Sequence, residues 1–380
     1  MRMANTPAGY YKKVTIFTLV FALFVVFVSQ NTYWILALAA MLSFLFVTDL
    51  VIEGRVKNSA IIFFIFYIVV LLPGFLSFNA SFSKYFYIWT ELLTIYFAYK
   101  AGQNGTLYLK YLKILFYLFV LFVFYNIFKY WGLDEPLSYI VQGSSQNGIP
   151  SYAIILLVSL LIANYVKYDE LQVFPCFLVL LIAYYGEGRG SIVISFLITL
   201  VVLGINAKTW LFNKKPSPLL VSFTFFIIFI ASGILIDDVF NFVVTNTKLS
   251  VGLGDSHRYR ILMDYIGNLD MLEWVIGGSY EGTVIDSQYN GNPHIALVRT
   301  HYFFGLIPVL LFTLTPLLFL VWKVSIKTFV MSVLALLAIG RSISEPILFP
   351  TYLDFFYLTP FFMYYFSLDE NHNACGVKNK

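Results

Sequence analysis

The sequence predicts an all-α polytopic membrane protein with about 12 transmembrane helices and one long outer loop that contains a short helix. Hydrophobic residues make up 60% of the 380 residues and charged residues only 12%, whereas a soluble domain carries about 25% charged residues. Apolar runs recur along the whole chain at lengths close to the roughly 20 residues that cross a bilayer as a helix. The first run has no small-residue cleavage site after it and is therefore predicted to be a span.

The apolar runs predict the following spans: 14–29, 33–52, 60–77, 85–100, 111–128, 149–166, 172–186, 190–206, 217–236, 300–322, 324–340 and 350–367. We predict a single transmembrane domain over residues 1–380. Residues 237–299 form a large outer loop and residues 129–148 a smaller one. Long loops without regular structure are uncommon unless they are functional, so the larger loop is the first place to search for a site.

Composition excludes several functional classes. The net charge of +4 comes from scattered lysines and arginines, which gives no basic cluster for nucleic acid. Cys176 lies in an apolar run and Cys375 in the polar C-terminal tail, so neither a disulfide nor a thiol metal site is expected. Zinc-hydrolase, P-loop and nucleophile-elbow motifs are absent from the sequence, and we expect neither a metal nor a cofactor.

The two basic residue types are distributed differently across the predicted topology. Most lysines fall in alternate connections, which places both termini in the cytoplasm by the positive-inside rule. Five of the seven arginines fall on the outer side instead: Arg189, Arg258, Arg260, Arg299 and Arg341. A guanidinium group can hold phosphate or carboxylate through two parallel hydrogen bonds. These arginines therefore indicate an anionic ligand, or alternatively ion pairs with lipid headgroups or with outer acids such as Glu187, Asp255 and Glu345.

Within the large loop, Asp255 and Ser256 have the character of a helix N-cap. The following helix is predicted to bury one apolar face, with Arg258 at its edge and Arg260 pointing to solvent. The predicted inner face consists of Tyr259, Leu262, Ile266 and Leu269. Arg258 is thus the preferred functional arginine of this helix.

Two further positions indicate chemistry. Arg189 lies in a turn with three glycines, Gly186-Glu187-Gly188-Arg189-Gly190, which permits close backbone approach, although a plain helical hairpin with a snorkelling arginine would fit as well. His294 precedes the tenth predicted span. Histidine can transfer a proton near neutral pH, but it is also a common interfacial residue. His301 is either a helper or a bystander.

Several short motifs in the second half of the chain together carry a family resemblance: Gly188-Arg189-Gly190-Ser191 opening a span, Ser256-x-Arg258, Ile276-Gly277-Gly278, and His294 before a span that contains Gly305. This set resembles the O-antigen polymerase and ligase superfamily over about residues 180–310, and most closely a Wzy-type O-antigen polymerase. The sequence departs from the family at one point, because the usual histidine-asparagine pair is His294-Ile295 here.

The resemblance implies a glycosyltransferase C-like fold in the bacterial inner membrane and metal-independent, inverting polymerisation of undecaprenyl-pyrophosphate-linked oligosaccharides at the periplasmic face. It implies that Arg189 and Arg258 engage the pyrophosphate and that His294 activates the acceptor hydroxyl. Besides the lipid-linked substrate and the bilayer, a chain-length regulator protein is a further expected partner. The additional candidates for substrate binding are Glu187, Arg260, Arg299, His301 and Arg341.

Three alternatives remain open. An O-antigen ligase would transfer the polymer to lipid A–core instead of to a repeat unit. A lipid-linked oligosaccharide flippase would place ionisable groups within the spans, where Glu91 is the main charge. A non-catalytic membrane scaffold would leave the outer arginines unexplained.

Overall fold

The computed structural model describes residues 7–53, 58–76, 81–133, 135–140, 146–213 and 256–376, and all regular elements within these ranges are helices. Numbered over the described residues, the α-helices are α1 Pro7–Ser29, α2 Thr32–Glu53, α3 Asn58–Leu76, α4 Phe82–Gln103, α5 Gly105–Lys129, α6 Gly148–Tyr168, α7 Phe174–Tyr185, α8 Arg189–Asn213, α9 Ser256–Gly267, α10 Glu273–Ile276, α11 Val284–Tyr289, α12 Ala296–Phe304, α13 Leu306–Trp322, α14 Ile326–Ser342 and α15 Asp354–Gly376. A 3₁₀-helix, Pro136–Tyr139, lies in the smaller predicted loop.

The helices follow the apolar runs of the sequence. The first eight predicted spans and the last two each coincide with one helix, and the ninth, 217–236, lies outside the described residues. Within the described ranges, five helical segments are long and apolar enough to cross a membrane: Tyr11–Ser29, Thr32–Asp49, Gly105–Lys129, Gly148–Tyr168 and Arg189–Ala207. The chain is therefore a helical membrane protein.

The tenth predicted span, 300–322, is formed by two helices that are separated at Gly305. Helix α12 ends at Phe304 and α13 begins at Leu306, because Gly305 adopts a φ of +83°. A Cβ atom at Gly305 would overlap the carbonyl oxygen of Val275. Gly277 faces the same junction with a φ of +98°, and its Cβ would lie 2.5 Å from the carbonyl oxygen of His301. Two glycines thus allow the loop and α12 to pack backbone against backbone.

We expect Gly305→Ala to destabilise the fold by at least about 1–3 kcal/mol, the usual cost of a non-glycine residue in a strained conformation. The overlap with Val275 adds to that cost. Gly204→Ala in α8 is the matched control, since a Cβ there meets no atom within 4 Å and alanine favours a helix by about 1 kcal/mol. Thermal unfolding of the two purified variants measures the difference. Equal midpoints would show that the Gly305 junction is not under steric constraint.

The main hydrophobic core surrounds α6, which is buried along nearly all of its length. Helices α4 and α15 pack closely against each other, since a Cβ at Gly102, near the end of α4, would overlap Phe362 in the middle of α15. Glu91, in the middle of α4, contacts Asp354, the first residue of α15. Two chain segments that are far apart in sequence therefore form one wall inside the helical body.

The large loop has its own small core over its described part. Ile261, Tyr265, Ile285, Ile295 and Val298 are all buried and form a separate cluster. The helix predicted after Ser256 is present as α9. Of its predicted inner face, Leu262 and Leu269 pack against this cluster, but Tyr259 is 66% exposed. The most deeply buried residues of α9 are Ile261 and Tyr265, at 1% and 2% exposed. Arg258 is half-buried and precedes Ile261 by about one helical turn, so it lies at the edge of the buried face.

Candidate functional site

A cavity of about 830 Å³ lies between α4, α12, the loop at 290–294 and the irregular segment at 345–352. This volume is within the range of small-molecule sites, about 300–1,000 Å³. Along α4 its lining extends from Ser83 to Thr94, a rise of about 16 Å at 1.5 Å per residue. The cavity therefore reaches far along the helical body. Three of the arginine and histidine candidates from the sequence line it: Arg258, Arg299 and His294.

Arg258 reaches the cavity from the first turn of α9. One of its terminal nitrogens, Nη2, lies 3.2 Å from Oε1 of Glu345, and the Arg258 side chain remains 30% exposed. Arg260, two residues later, is exposed and is not among the residues that line the cavity. The helical periodicity of the sequence thus separated these two arginines correctly.

Arg341 is the most enclosed of the candidate arginines, with 2% of the residue exposed. Its Nε donates to Ser191 Oγ at 2.8 Å and its Nη1 to Ser344 Oγ at 2.6 Å. Its Nη2 donates to the Asn147 carbonyl oxygen at 3.3 Å and lies 3.7 Å from Glu345. Arg341 connects the start of α8 and the start of α6 to the cavity wall through these hydrogen bonds. It therefore supports the fold around the cavity and does not line the cavity itself.

Arg299 enters the cavity from α12. Its Nη1 donates to the carbonyl oxygen of Pro346 at 3.0 Å, and its guanidinium carbon lies 5.5 Å from the centre of the Tyr87 ring. A planar guanidinium over an aromatic face is a favourable cation–π arrangement. The carbonyl and the ring hold Arg299 in place. These two contacts use only one of the N–H donors of its guanidinium group.

Glu345 lies between two of the arginines. It contacts both Arg258 and Arg341, and Arg299 bonds to the next residue in the chain, Pro346. Arg299 also interacts electrostatically with the buried acids Glu91 and Asp354. The alternative that the outer arginines pair with outer acids is therefore correct for Glu345 with Arg258 and Arg341.

His294 lines the cavity from the loop before α12. It has a φ of +52°, and its backbone N–H donates to Asn292 Oδ1 at 3.1 Å. The imidazole meets the ring of Tyr289 edge-on at 5.3 Å between centres. The side chain is half-buried, so an imidazole at this position can reach a molecule in the cavity and still exchange protons with water.

His301 has a different environment. Its Nε2 lies 2.9 Å from the carbonyl oxygen of Trp274 and must donate to it, so its Nδ1 accepts from the Tyr265 hydroxyl at 2.8 Å. Both ring nitrogens are thus used, and the residue is not among the cavity lining. Burial raises the pKa of Tyr265, which keeps its hydroxyl protonated as this bond requires. We assign His301 to holding α9 against α12.

An aromatic platform lines the cavity next to Arg299. The rings of Tyr280 and Tyr302 stack at 4.1 Å between centres with an interplanar angle of 16°, and Lys84 Nζ lies 5.1 Å from the centre of the Tyr302 ring. Burial raises the pKa of Tyr280 well above its usual value, so the phenol stays neutral. Sequence reasoning did not single out these tyrosines, because the chain has 28 of them and interfacial and site tyrosines have the same pattern.

A pair of buried acids forms the far part of the cavity wall. Glu91 in α4 is 2% exposed and lines the cavity. It makes a side-chain hydrogen bond with Asp354, the first residue of α15, which is fully buried. Asp354 also accepts the backbone N–H groups of Phe349 and Thr351 at 3.0 and 2.6 Å. Asp354 was missed in the sequence because it lies inside the predicted span 350–367.

Arg189 and Glu187 remain in the turn between α7 and α8, where the sequence places them. Both are half-buried, Glu187 with a φ of +51°, and neither is among the cavity lining. The turn does approach the site, because a Cβ at Gly188 would lie 2.5 Å from Oδ1 of Asn147, which is a lining residue. The predicted pair Arg189 and Arg258 is therefore not brought together on the cavity surface; Arg258 and Arg299 are.

The described side chains offer little for a metal. Within the described ranges, no group of three or more histidine, cysteine, aspartate or glutamate side chains is arranged to hold a metal ion. Cys176 is buried in α7 as a free thiol, and burial in an apolar helix makes such a cysteine inert. The chemistry of the cavity thus derives from guanidinium, imidazole, carboxyl and phenol groups.

No protein family model, no curated protein and no solved structure matches this chain.

Proposed function

We propose that this chain is a metal-independent, inverting glycosyltransferase of the glycosyltransferase C-like kind. It would polymerise undecaprenyl-pyrophosphate-linked oligosaccharide repeat units into O-antigen or a related surface polysaccharide. Its place would be the periplasmic face of the bacterial inner membrane, with both termini in the cytoplasm. The observation that carries the proposal is that Arg258, Arg299 and His294 line one cavity beside stacked tyrosines.

The arginines suit a diphosphate leaving group. As the bond between the sugar and the phosphate oxygen breaks, negative charge accumulates on the diphosphate. Fixed guanidinium groups stabilise this charge more strongly in the transition state than in the ground state, which is the kind of binding that raises the rate. Arg258 and Arg299 both line the cavity, which places two guanidinium groups where such an anion would bind.

His294 suits the acceptor side of the reaction. A sugar hydroxyl is a weak nucleophile, and a base within hydrogen-bond reach accelerates its attack by about 100- to 10,000-fold. In this proposal His294 takes the hydroxyl proton, the acceptor oxygen bonds to the anomeric carbon from the opposite face, and the diphosphate leaves with the electron pair. The stacked Tyr280 and Tyr302 would hold a sugar ring by its apolar face.

Arg299 replaces Arg189 as the second guanidinium in the proposal. Arg299 lines the cavity together with Arg258, whereas Arg189 begins α8, whose Ser191 accepts a hydrogen bond from Arg341. We therefore assign Arg189 to the support of the cavity wall. Arg260, exposed on α9 and outside the cavity lining, has no assigned role in binding the diphosphate.

The proposal is tested with the purified chain in proteoliposomes that contain lipid-linked oligosaccharide. We expect release of undecaprenyl pyrophosphate together with longer saccharides, and no movement of the lipid-linked substrate between leaflets. Leaflet exchange without carrier release would overturn the proposal in favour of a flippase. The buried pair Glu91 and Asp354 beside the cavity is the observation that favours this second candidate, since transporters place ionisable groups within spans.

A ligase is separated from a polymerase in cells. Loss of a polymerase leaves lipid A–core that carries one repeat unit, whereas loss of a ligase leaves bare core. We expect the single repeat unit in a deletion strain, together with restoration of long chains by the intact gene. Bare core would transfer the assignment to the ligase.

A further inference from the structure

The large loop carries an exposed group of apolar side chains just before and within α10. Met271 is 91% exposed, more than any other large hydrophobic side chain in the described ranges, and Leu272, Trp274 and Val275 are exposed as well. We call these four residues the apolar tip. Single exposed apolar residues are common on protein surfaces, whereas a contiguous group of them indicates an interaction surface.

The polar groups at the start of this segment bond to one another. Asp270 Oδ1 accepts the backbone N–H groups of Leu272 and Glu273 at 2.8 and 2.7 Å, and Glu273 Oε2 accepts the backbone N–H group of Asp270 at 3.1 Å. This reciprocal arrangement has the geometry of a capping box. The apolar tip is therefore presented by a turn whose first backbone N–H groups are already bonded within the segment.

The apolar tip lies beside two apolar helices. Helix α10 packs against α3 and α13, and neither of these helices contains a charged residue. The carbonyl group of Val275 packs against Gly305, directly before α13. Leu76 at the end of α3 and Ile307 at the start of α13 are exposed. In a chain that crosses a membrane such helix surfaces face lipid, and the apolar tip continues this surface beyond the ends of the two helices.

This continuity favours lipid over a protein partner or a second copy of the chain as the occupant of the surface. Tryptophan is also a typical residue of the boundary between lipid and water, where its ring is apolar and its N–H group is polar. We propose that the apolar tip is a membrane-surface anchor. Met271 and Leu272 enter the lipid leaflet next to the large loop, and Trp274 lies at the level of the headgroups.

The anchor is connected to the cavity through α12. The carbonyl oxygen of Trp274 accepts a hydrogen bond from His301 Nε2 at 2.9 Å, and the same helix carries Arg299 into the cavity. An apolar tip held in lipid therefore fixes the depth of the cavity relative to the membrane surface. The inference is independent of the proposed function, because it concerns where the loop lies and not what the cavity binds.

Nitroxide labels on the purified full-length chain test the position of the apolar tip. Cys375→Ser removes the thiol of the C-terminal tail, and Cys176 is buried, so a label attaches at Met271→Cys. In vesicles of phosphatidylethanolamine and phosphatidylglycerol, electron paramagnetic resonance measures collisions with oxygen, which concentrates in lipid, and with a water-soluble nickel chelate. We expect a severalfold higher ratio of oxygen to nickel collisions than at Gln288→Cys, the matched control at an exposed position of α11.

A second variant tests whether the apolar character of the tip holds it in lipid. A carboxylate is costly in a bilayer, so Met271→Asp should shift a label at Leu272→Cys toward a lower ratio of oxygen to nickel collisions. Equal ratios at positions 271 and 288 would place the tip in water and overturn the proposal. Low collision rates with both reagents at position 271 would show that protein covers the tip, which also overturns it. An unchanged label at position 272 in the Met271→Asp chain would overturn the anchoring role.

Discussion

Arg258→Ala is expected to reduce the rate of carrier release by about 100- to 1,000-fold, the typical loss when one fixed donor to a developing anion is removed. Arg258 lines the cavity, and its guanidinium is held 3.2 Å from Glu345. In the proposed reaction a guanidinium held in this way would stabilise the diphosphate with little reorganisation in the transition state. In cells the same variant should produce no long polymer.

Arg260→Ala is the matched control for this experiment. Arg260 lies two residues from Arg258 on the same helix but is exposed, and an exposed charge contributes little in water. We expect its activity to remain within about threefold of wild type. Arg258→Lys keeps the charge and loses the planar fork, and should fall between the two. If Arg258→Ala and Arg260→Ala show equal activity while both proteins insert normally, Arg258 has no role in binding the leaving group.

The helices of this chain are well predicted from sequence because a bilayer demands apolar runs of nearly fixed length. The required length does not determine where the helix within an apolar run is interrupted. Residues 300–322 are apolar on both sides of Gly305, so the division into α12 and α13 depends on Val275 and Gly277, which contact Gly305 from the loop. A contact between distant segments leaves no mark on local hydropathy.

The site was predicted in part for a related reason. An arginine on the disfavoured side of a membrane is visible in the sequence through the positive-inside rule, and this rule identified Arg258 and Arg299, which line the cavity. It also identified Arg189 and Arg341, which do not. The positive-inside rule concerns only the side of the membrane on which a charge lies. It therefore cannot distinguish a guanidinium that faces a cavity from one that is enclosed by the protein.

The inner face of α9 shows the limit of periodicity. Tyr259 and Tyr265 are equally apolar in the sequence, but only Tyr265 finds a buried partner, His301 Nδ1 at 2.8 Å. The partner lies 36 residues away, so the sequence could not decide which of the two tyrosines turns inward. The same reasoning applies to Glu91, whose contact with Asp354 at the start of α15 joins two segments that are far apart in the sequence.

Glu345→Gln is expected to cause the largest loss of stability, about 3–5 kcal/mol, because removing one partner of a buried ion pair leaves an uncompensated buried charge. Arg341 is 2% exposed, and the substitution would remove the carboxylate that lies 3.7 Å from its guanidinium while the positive charge of Arg258 remains near it. The measurement is the thermal midpoint of the purified variant in detergent without substrate.

The double variant Glu345→Gln/Arg341→Met tests whether the loss arises from that charge. Methionine removes the buried charge and keeps much of the side-chain volume, and replacement of a buried ion pair by apolar residues is often neutral or stabilising. We therefore expect the double variant to be more stable than Glu345→Gln alone, although Ser191 and Ser344 lose a donor. A double variant less stable than both single variants would mean that Arg341 acts through its hydrogen bonds to α6 and α8. If the stabilised double variant also released carrier at a rate near that of wild type, Arg341 would serve the fold alone, and anion binding would be left to Arg258 and Arg299.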